Sequence, residues 1–210
     1  MSYKLAHDNG KKICFVSRTS MNFELCYIIE RYRPCTILDL ESIESYDPEI
    51  LDQYQFFISA GFIGFKEKAI NLIKSKLPNS HFVSFIHESA NIDPSVQIGQ
   101  GVRLGPFTNI SPKTIIKNFV DMPQYSSIHE LRNEVEDLCY ISPMTMVGEV
   151  KLAKGTWIGI YSKIDNVKTQ PYQQFKMFSR VMDIDFKQTG TYKHKRITDS
   201  RNSSELDINS

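Results

Sequence analysis

Aliphatic side chains recur at every sixth position through the second half of the chain. Ile92, Ile98, Leu104, Ile110, Ile116, Met122 and Ile128 follow one another without a break. The same spacing skips Glu134, passes Tyr140 and Met146, and resumes at Leu152, Ile158 and Ile164. A period of six is neither the 3.6 of a helix nor the 2 of a strand. It fits three short strands per turn of a triangular coil, each sending one aliphatic side chain to the axis. That pattern predicts a left-handed parallel β-helix of hexapeptide repeats, whose coils bury their apolar faces only by stacking on each other. Val96, Val102, Val120 and Val150 stand where a second inward residue is expected. Gly99, Gly101, Gly105, Gly155 and Gly159 follow ladder positions by one or three residues, where the coil must turn tight corners. The rival reading is a sandwich or barrel with coincidental spacing, which would scatter the ladder residues over different faces.

Ahead of the ladder the periodicity changes. Ile13–Ser17, Thr36–Leu40, Phe56–Ala60 and His81–Ile86 read as short apolar strands. Met21–Tyr32 and Lys66–Leu77 carry helical spacing. Strands alternating with helices imply a small parallel sheet of Rossmann type. Lys66, Lys68, Lys74 and Lys76 read as the solvated face of the second helix. The expected organisation is therefore a small Rossmann-like α/β domain at 1–86, a left-handed parallel β-helix at 87–165 and a C-terminal extension at 166–210. Within the extension, the stretch 171–186 is apolar enough to pack, and the polar end reads as disordered.

Composition narrows the function. The chain has 25 basic and 24 acidic residues and a net charge of +1, a balance that offers no footprint for nucleic acid. Neither a secretory leader nor an apolar run long enough to span a membrane is evident. The four cysteines show no metal-type pairing and no disulfide framework, so reduced thiols in a cytoplasmic protein are expected. A zinc enzyme built on such a coil would need three histidines across a subunit interface. Apart from His87 at the entrance, the coil offers only His129, so no metal is expected.

The junction Phe82-Val-Ser-Phe-Ile-His-Glu-Ser-Ala-Asn-Ile92 resembles that of bacterial sugar acetyltransferases of the bacillosamine N-acetyltransferase and sialic-acid O-acetyltransferase type. Glu88 stands where that family usually has proline. Gly148-Glu-Val-Lys-Leu-Ala-Lys-Gly-Thr-Trp-Ile-Gly-Ile160 resembles the family's late coils, and Ile141-Ser-Pro143 the coil after its active-site loop. The resemblance covers about residues 12–165. It implies a homotrimer with acetyl-CoA in the groove between adjacent β-helices and a nucleotide-sugar on the small domain. Ile128-His-Glu130 matches the family's Gly-His-Asp or Gly-His-Glu motif, which implies His129 as catalytic base and Glu130 as its carboxylate partner. The late-coil match implies Gly148, Trp157, Gly159 and Ile160 along the acetyl-CoA. The family's glycine-rich phosphate loop is replaced by Ser17-Arg-Thr-Ser-Met21. Any acceptor phosphate would then rest on Ser17, Arg18 and Thr19 and on the start of the following helix.

Acyl transfer from a thioester to an amine asks for a base near neutrality, for which imidazole is suited, and a backbone amide for the oxyanion. The expected function is acetyl-CoA-dependent N-acetylation of a nucleotide-linked amino sugar for surface polysaccharide. Sugar O-acetylation is the alternative within enzymes. A non-catalytic trimeric β-helix scaffold is the alternative outside them.

Overall fold

A computed structural model describes residues 3–17 and 35–192. The N-terminal layer comprises β1 (Tyr3–Ala6), β2 (Lys12–Val16), β3 (Cys35–Leu38), α1 (Leu40–Ser45), α2 (Pro48–Leu51), β4 (Tyr54–Ile58) and α3 (Ile63–Lys76). Strands β3, β2 and β4 form a parallel sheet in that order. Its core is Cys14, Val16, Phe56 and Ile58 packed under Ala69, Ile70 and Ile73 of α3. At the start of α1 the Asp39 carboxylate accepts the Ser42 N–H at 2.7 Å, satisfying one of the free amides there. The helix expected at Met21–Tyr32 lies outside the described residues.

The stretch expected to be a fourth strand of this sheet is divided between two sheets. Phe82 bridges Phe56 in the small sheet, with Phe56 N–H donating to His81 O and Val83 N–H to Phe56 O. Two residues on, β5 (Ser84–His87) pairs with Arg103–Leu104 and opens the coil. Strand β1, which has no hydrophobic signature, adds antiparallel to β5 and closes that end of its sheet. The layer and the coil thus share one continuous piece of backbone.

From β5 onward the chain is a parallel β-helix of triangular section. Its first face carries 84–87, 103–104, 121–122, 140–141, 157–158, 174–175 and 191–192. The second face carries 91–92, 109–110, 127–129 and 146–148, and the third 97–98, 115–116, 134–135 and 151–152. Two longer strands, Lys163–Lys168 and Arg180–Asp185, bend round the corner and serve both the second and third faces. The axis is filled by Leu104, Ile110, Ile116, Met122, Ile128, Leu152, Ile158 and Ile164, with Val102, Val120 and Val150 between them.

Three features depart from the plain hexad. First, the ladder is offset by one between its two runs: Val135, Ile141 and Val147 point to the axis, and Tyr140 and Met146, which the hexad passes, do not. Ile115 pairs with Glu134, a coil of 19 residues, and Glu134 pairs with Lys151, a coil of 17. One residue is inserted near 130–133 and one removed later, which restores the original register at Leu152. Second, the coil does not stop at 165. Parallel pairing continues through Phe175 and Val181 to Tyr192, where Phe175, Phe186 and Tyr192 pack edge to face over the open end. The 17-residue spacing of these last coils breaks the hexad and hides them from a period-six reading. Third, glycine does not supply most of the corners. Gly101 and Gly155 have positive φ, but so do Phe107, Lys113, Phe119, Tyr125, Leu138, Met144, Tyr161, Tyr172 and Phe178. Gly99, Gly105 and Gly159 instead allow close approach: a Cβ on each would lie 2.5–2.7 Å from backbone of the next coil.

Lys66 is also not on a solvated face. It is buried where α3 meets the first face, donates to Phe119 O at 3.1 Å and stands 3.6 Å from Asp121. Asp121 in turn accepts from Arg103 Nε at 2.6 Å. Burial pulls the Lys66 ammonium below its usual range, against the attraction of Asp121. Lys154 and Tyr172 of the coil both reach Glu67 on α3 at 2.7 Å, fastening the same helix at its rim. Burial pushes the Cys139 thiol up to about 12, which makes it unreactive.

Candidate active site

His129 lies at the end of a three-residue strand on the second face. Ile128 points to the axis and is fully buried, so the alternation of a strand sends Ser127 and His129 outward. The inserted residue follows directly. Glu130 and Arg132 both take positive φ, at 65°, and make a widened corner. Buried Asn133 holds it: its Nδ2 donates to His129 O at 3.0 Å and to Glu130 O at 2.9 Å, while its Oδ1 accepts from Val150 N–H at 3.0 Å. The backbone at and just after the histidine is therefore pinned to the next coil.

Strand register places His129, Gly148 and Asp165 in one column across three successive coils. The imidazole leans over Gly148. A Cβ added there would meet His129 Nε2 at 2.5 Å and Cδ2 at 2.7 Å. Beyond it, Asp165 Oδ2 stands 4.0 Å from Nε2, and Lys163 Nζ is 3.8 Å from the same oxygen. His129 Nδ1 is buried without a hydrogen-bond partner among the described residues, so Nε2 is the nitrogen open to a ligand. Glu130 sits exposed at the corner, and the carboxylate within 4.0 Å of the imidazole is that of Asp165. Below Asp165, Lys163, Arg180 and Met182 line a shallow cavity of about 160 Å³.

Gly148 does not have a positive φ, and the three atoms nearest to an added Cβ all belong to the imidazole, so alanine there presses first on His129. Gly148→Ala is expected to turn His129 aside and lower turnover by about 10²-fold, the scale of an ångström's misplacement of a reacting group. The melting temperature should barely move. Steady-state kinetics beside a thermal melt tests this, and wild-type turnover would show that the imidazole position is unimportant.

The other expected site residues fall elsewhere. Trp157 projects from the first face and stacks on Tyr140, rings 6.4 Å apart and 10° from parallel. Gly159 and Ile160 lie on the edge between the first and second faces, where the Ile160 carbonyl accepts the Phe178 N–H at 2.9 Å. Gly148 alone of that group touches His129. Ser17 directly follows β2, its N–H donating to Leu38 O. Nearby, Gly61 follows β4, and a Cβ added to it would meet the Tyr140 ring at 3.5 Å. The carboxyl edge of the small sheet therefore opens toward the first face, and His129 stands on the second. Arg18 and Thr19 lie outside the described residues.

No protein-family model and no curated protein matches this sequence. Solved structures do. A histidine-to-asparagine mutant of perosamine N-acetyltransferase from Caulobacter crescentus, in complex with CoA and GDP-perosamine, superposes with a TM-score of 0.65 at 14% identity, over 90% of this chain and 96% of that one. WeeI from Acinetobacter baumannii AYE gives 0.62 at 15% identity, over 84% and 96%. The acetyltransferase domain of PglB from Neisseria gonorrhoeae FA1090 gives 0.52 at 15%, over 84% and 91%. The fold is a left-handed parallel β-helix, shared with these structures. At such identities the likeness establishes architecture, and the chemistry has to come from the site. Among the described residues no group of three or more His, Cys, Asp and Glu could hold a metal. No helix among them is long and apolar enough to cross a membrane.

Proposed function

We propose that this protein is an acetyl-CoA-dependent sugar acetyltransferase that acts on the amine of a nucleotide-linked amino sugar, with His129 as general base. One observation carries the reading. The second face of a left-handed β-helix, a fold shared with an N-acetyltransferase that binds CoA and GDP-perosamine, holds an outward imidazole over a glycine with Nε2 open. Nε2 takes the proton that the amine sheds as its lone pair attacks the thioester carbonyl. The N–C bond forms, the C–S bond breaks, and CoA leaves as the thiol.

In this reading acetyl-CoA runs past Gly148 and along the edge formed by Gly159 and Ile160. The acceptor's nucleotide rests at the carboxyl edge of the small Rossmann-type sheet, near Ser17, Arg18 and Thr19. That edge lies beside the first face of the prism, and His129 stands on the second. A neighbouring copy brings them together, and a homotrimer closes the arrangement. Acetyl-CoA as donor favours the cytoplasm as the place of action, and the product would feed surface polysaccharide.

Calorimetry with acetyl-CoA, together with light scattering, tests the reading. A micromolar dissociation constant at the mass of a trimer is expected. Absence of CoA binding would leave the protein a non-catalytic scaffold.

A further inference from the structure

Two acceptor atoms of different chemistry share one strip of the second face. His129 turns Nε2 toward Asp165 and offers it as an acceptor in the tautomer that carries the proton on Nδ1, and Asp165 offers Oδ2 at 4.0 Å from it. That gap is too long for a hydrogen bond between the two. It is suited to a single donor held by both. A nitrogen 2.8 Å from each of two atoms 4.0 Å apart sees them at about 90°, within reach of the roughly 109° between two N–H bonds of an ammonium.

An amine on an alkyl or sugar carbon is largely protonated at neutral pH, and an ammonium gains a charge-assisted bond from a carboxylate. A hydroxyl in the same place is neutral and gains an ordinary hydrogen bond. Lys163 already shows how the carboxylate draws a cation: its Nζ stands 3.8 Å from Oδ2. It is a loose ion pair on a half-exposed side chain, and an incoming ammonium can displace it. Gly148 is what permits the pairing, because a side chain there would hold the imidazole away from Asp165.

We propose that Asp165 binds the acceptor as its ammonium and so makes this site select amines over hydroxyls. The proposal rests on His129 acting as the base. With the ammonium held between Oδ2 and Nε2, one proton leaves through His129 to water. The freed lone pair forms the N–C bond with the acetyl carbonyl carbon. As the C–S bond breaks, the second proton passes through His129 to the departing sulfur.

The test uses the full chain with acetyl-CoA and two probes, GDP-perosamine as amine and GDP-mannose as hydroxyl sugar, following release of CoA. Wild-type protein is expected to acetylate the amine probe. Asp165→Asn should raise KM for GDP-perosamine about 10- to 100-fold and change kcat much less, with CoA affinity and the weak response to GDP-mannose unaltered. Asp165→Glu should restore part of the loss. An unchanged KM, or an equal fall for both probes, overturns the proposal while His129 stands as base. Wild-type protein that binds CoA yet prefers GDP-mannose, or acetylates the two probes alike, also overturns it. Protein that binds no CoA removes the acetyltransferase reading beneath it.

Discussion

His129→Ala is expected to lower acetyl transfer by about 10²–10⁴-fold, the range for removing a general base. The fold should be indifferent to the change. The imidazole stands outside the coil axis, and Ile128 beside it carries the packing. Asn133 holds the corner through the carbonyls of residues 129 and 130, which survive the substitution. Nδ1 has no hydrogen-bond partner among the described residues, so truncation leaves no group there newly unpaired. Affinity for CoA and the melting temperature should therefore match the wild type while kcat collapses. Near-normal turnover would dismiss His129 as the base. His87 would be a poor replacement: it is buried beneath Tyr3, its Nδ1 is engaged with Ser89, and burial holds its pKa below the usual range.

The largest loss of stability is expected at Asp121, which touches no part of the proposed chemistry. Asp121→Ala should cost about 3–5 kcal/mol, the scale for removing one partner of a buried ion pair. The carboxylate is almost fully buried and neutralises two cations, Arg103 Nε at 2.6 Å and Lys66 Nζ at 3.6 Å. Without it Lys66 stays sequestered between α3 and the first face, with the Phe119 carbonyl as its remaining partner. Replacing Lys66 by methionine in the same background should recover part of the loss, since the stranded charge is then gone. By contrast, Lys117 and Glu136 form a surface pair at 3.2 Å, and breaking it should cost no more than about 1 kcal/mol. Urea unfolding at fixed protein concentration compares the variants. A loss at Asp121 no greater than at Glu136 would show that water reaches the cluster.

The hexad ladder determined the coil by itself, because each aliphatic side chain in it answers to one local rule: turn a corner every six residues and face the axis. That rule needs no knowledge of distant contacts, so Leu104, Ile110, Ile116, Met122 and Ile128 could be read as core directly. It also places His129 and Asp165 on one face. Each follows a ladder isoleucine, Ile128 or Ile164, and these are separated by a whole number of coils once the inserted and missing residues cancel. The family resemblance implies Glu130 as the partner instead, but that side chain is exposed at the corner.

Tertiary structure decided the rest. The extra residue near 130–133 shifts Val135, Ile141 and Val147 into the axis in place of the hexad positions, because coil stacking rewards an unbroken core more than an unbroken period. The short coils after 165 close on Phe175, Val181 and Tyr192 for the same reason. Lys66 looks like a surface lysine in any helical wheel. Its burial follows from Asp121 and Arg103, more than thirty residues away, which the first face brings beneath α3. Separation of the imidazole and the small sheet's open edge onto different faces is likewise a property of the folded prism. It arises because parallel stacking sorts neighbours by coil and face, not by distance along the chain.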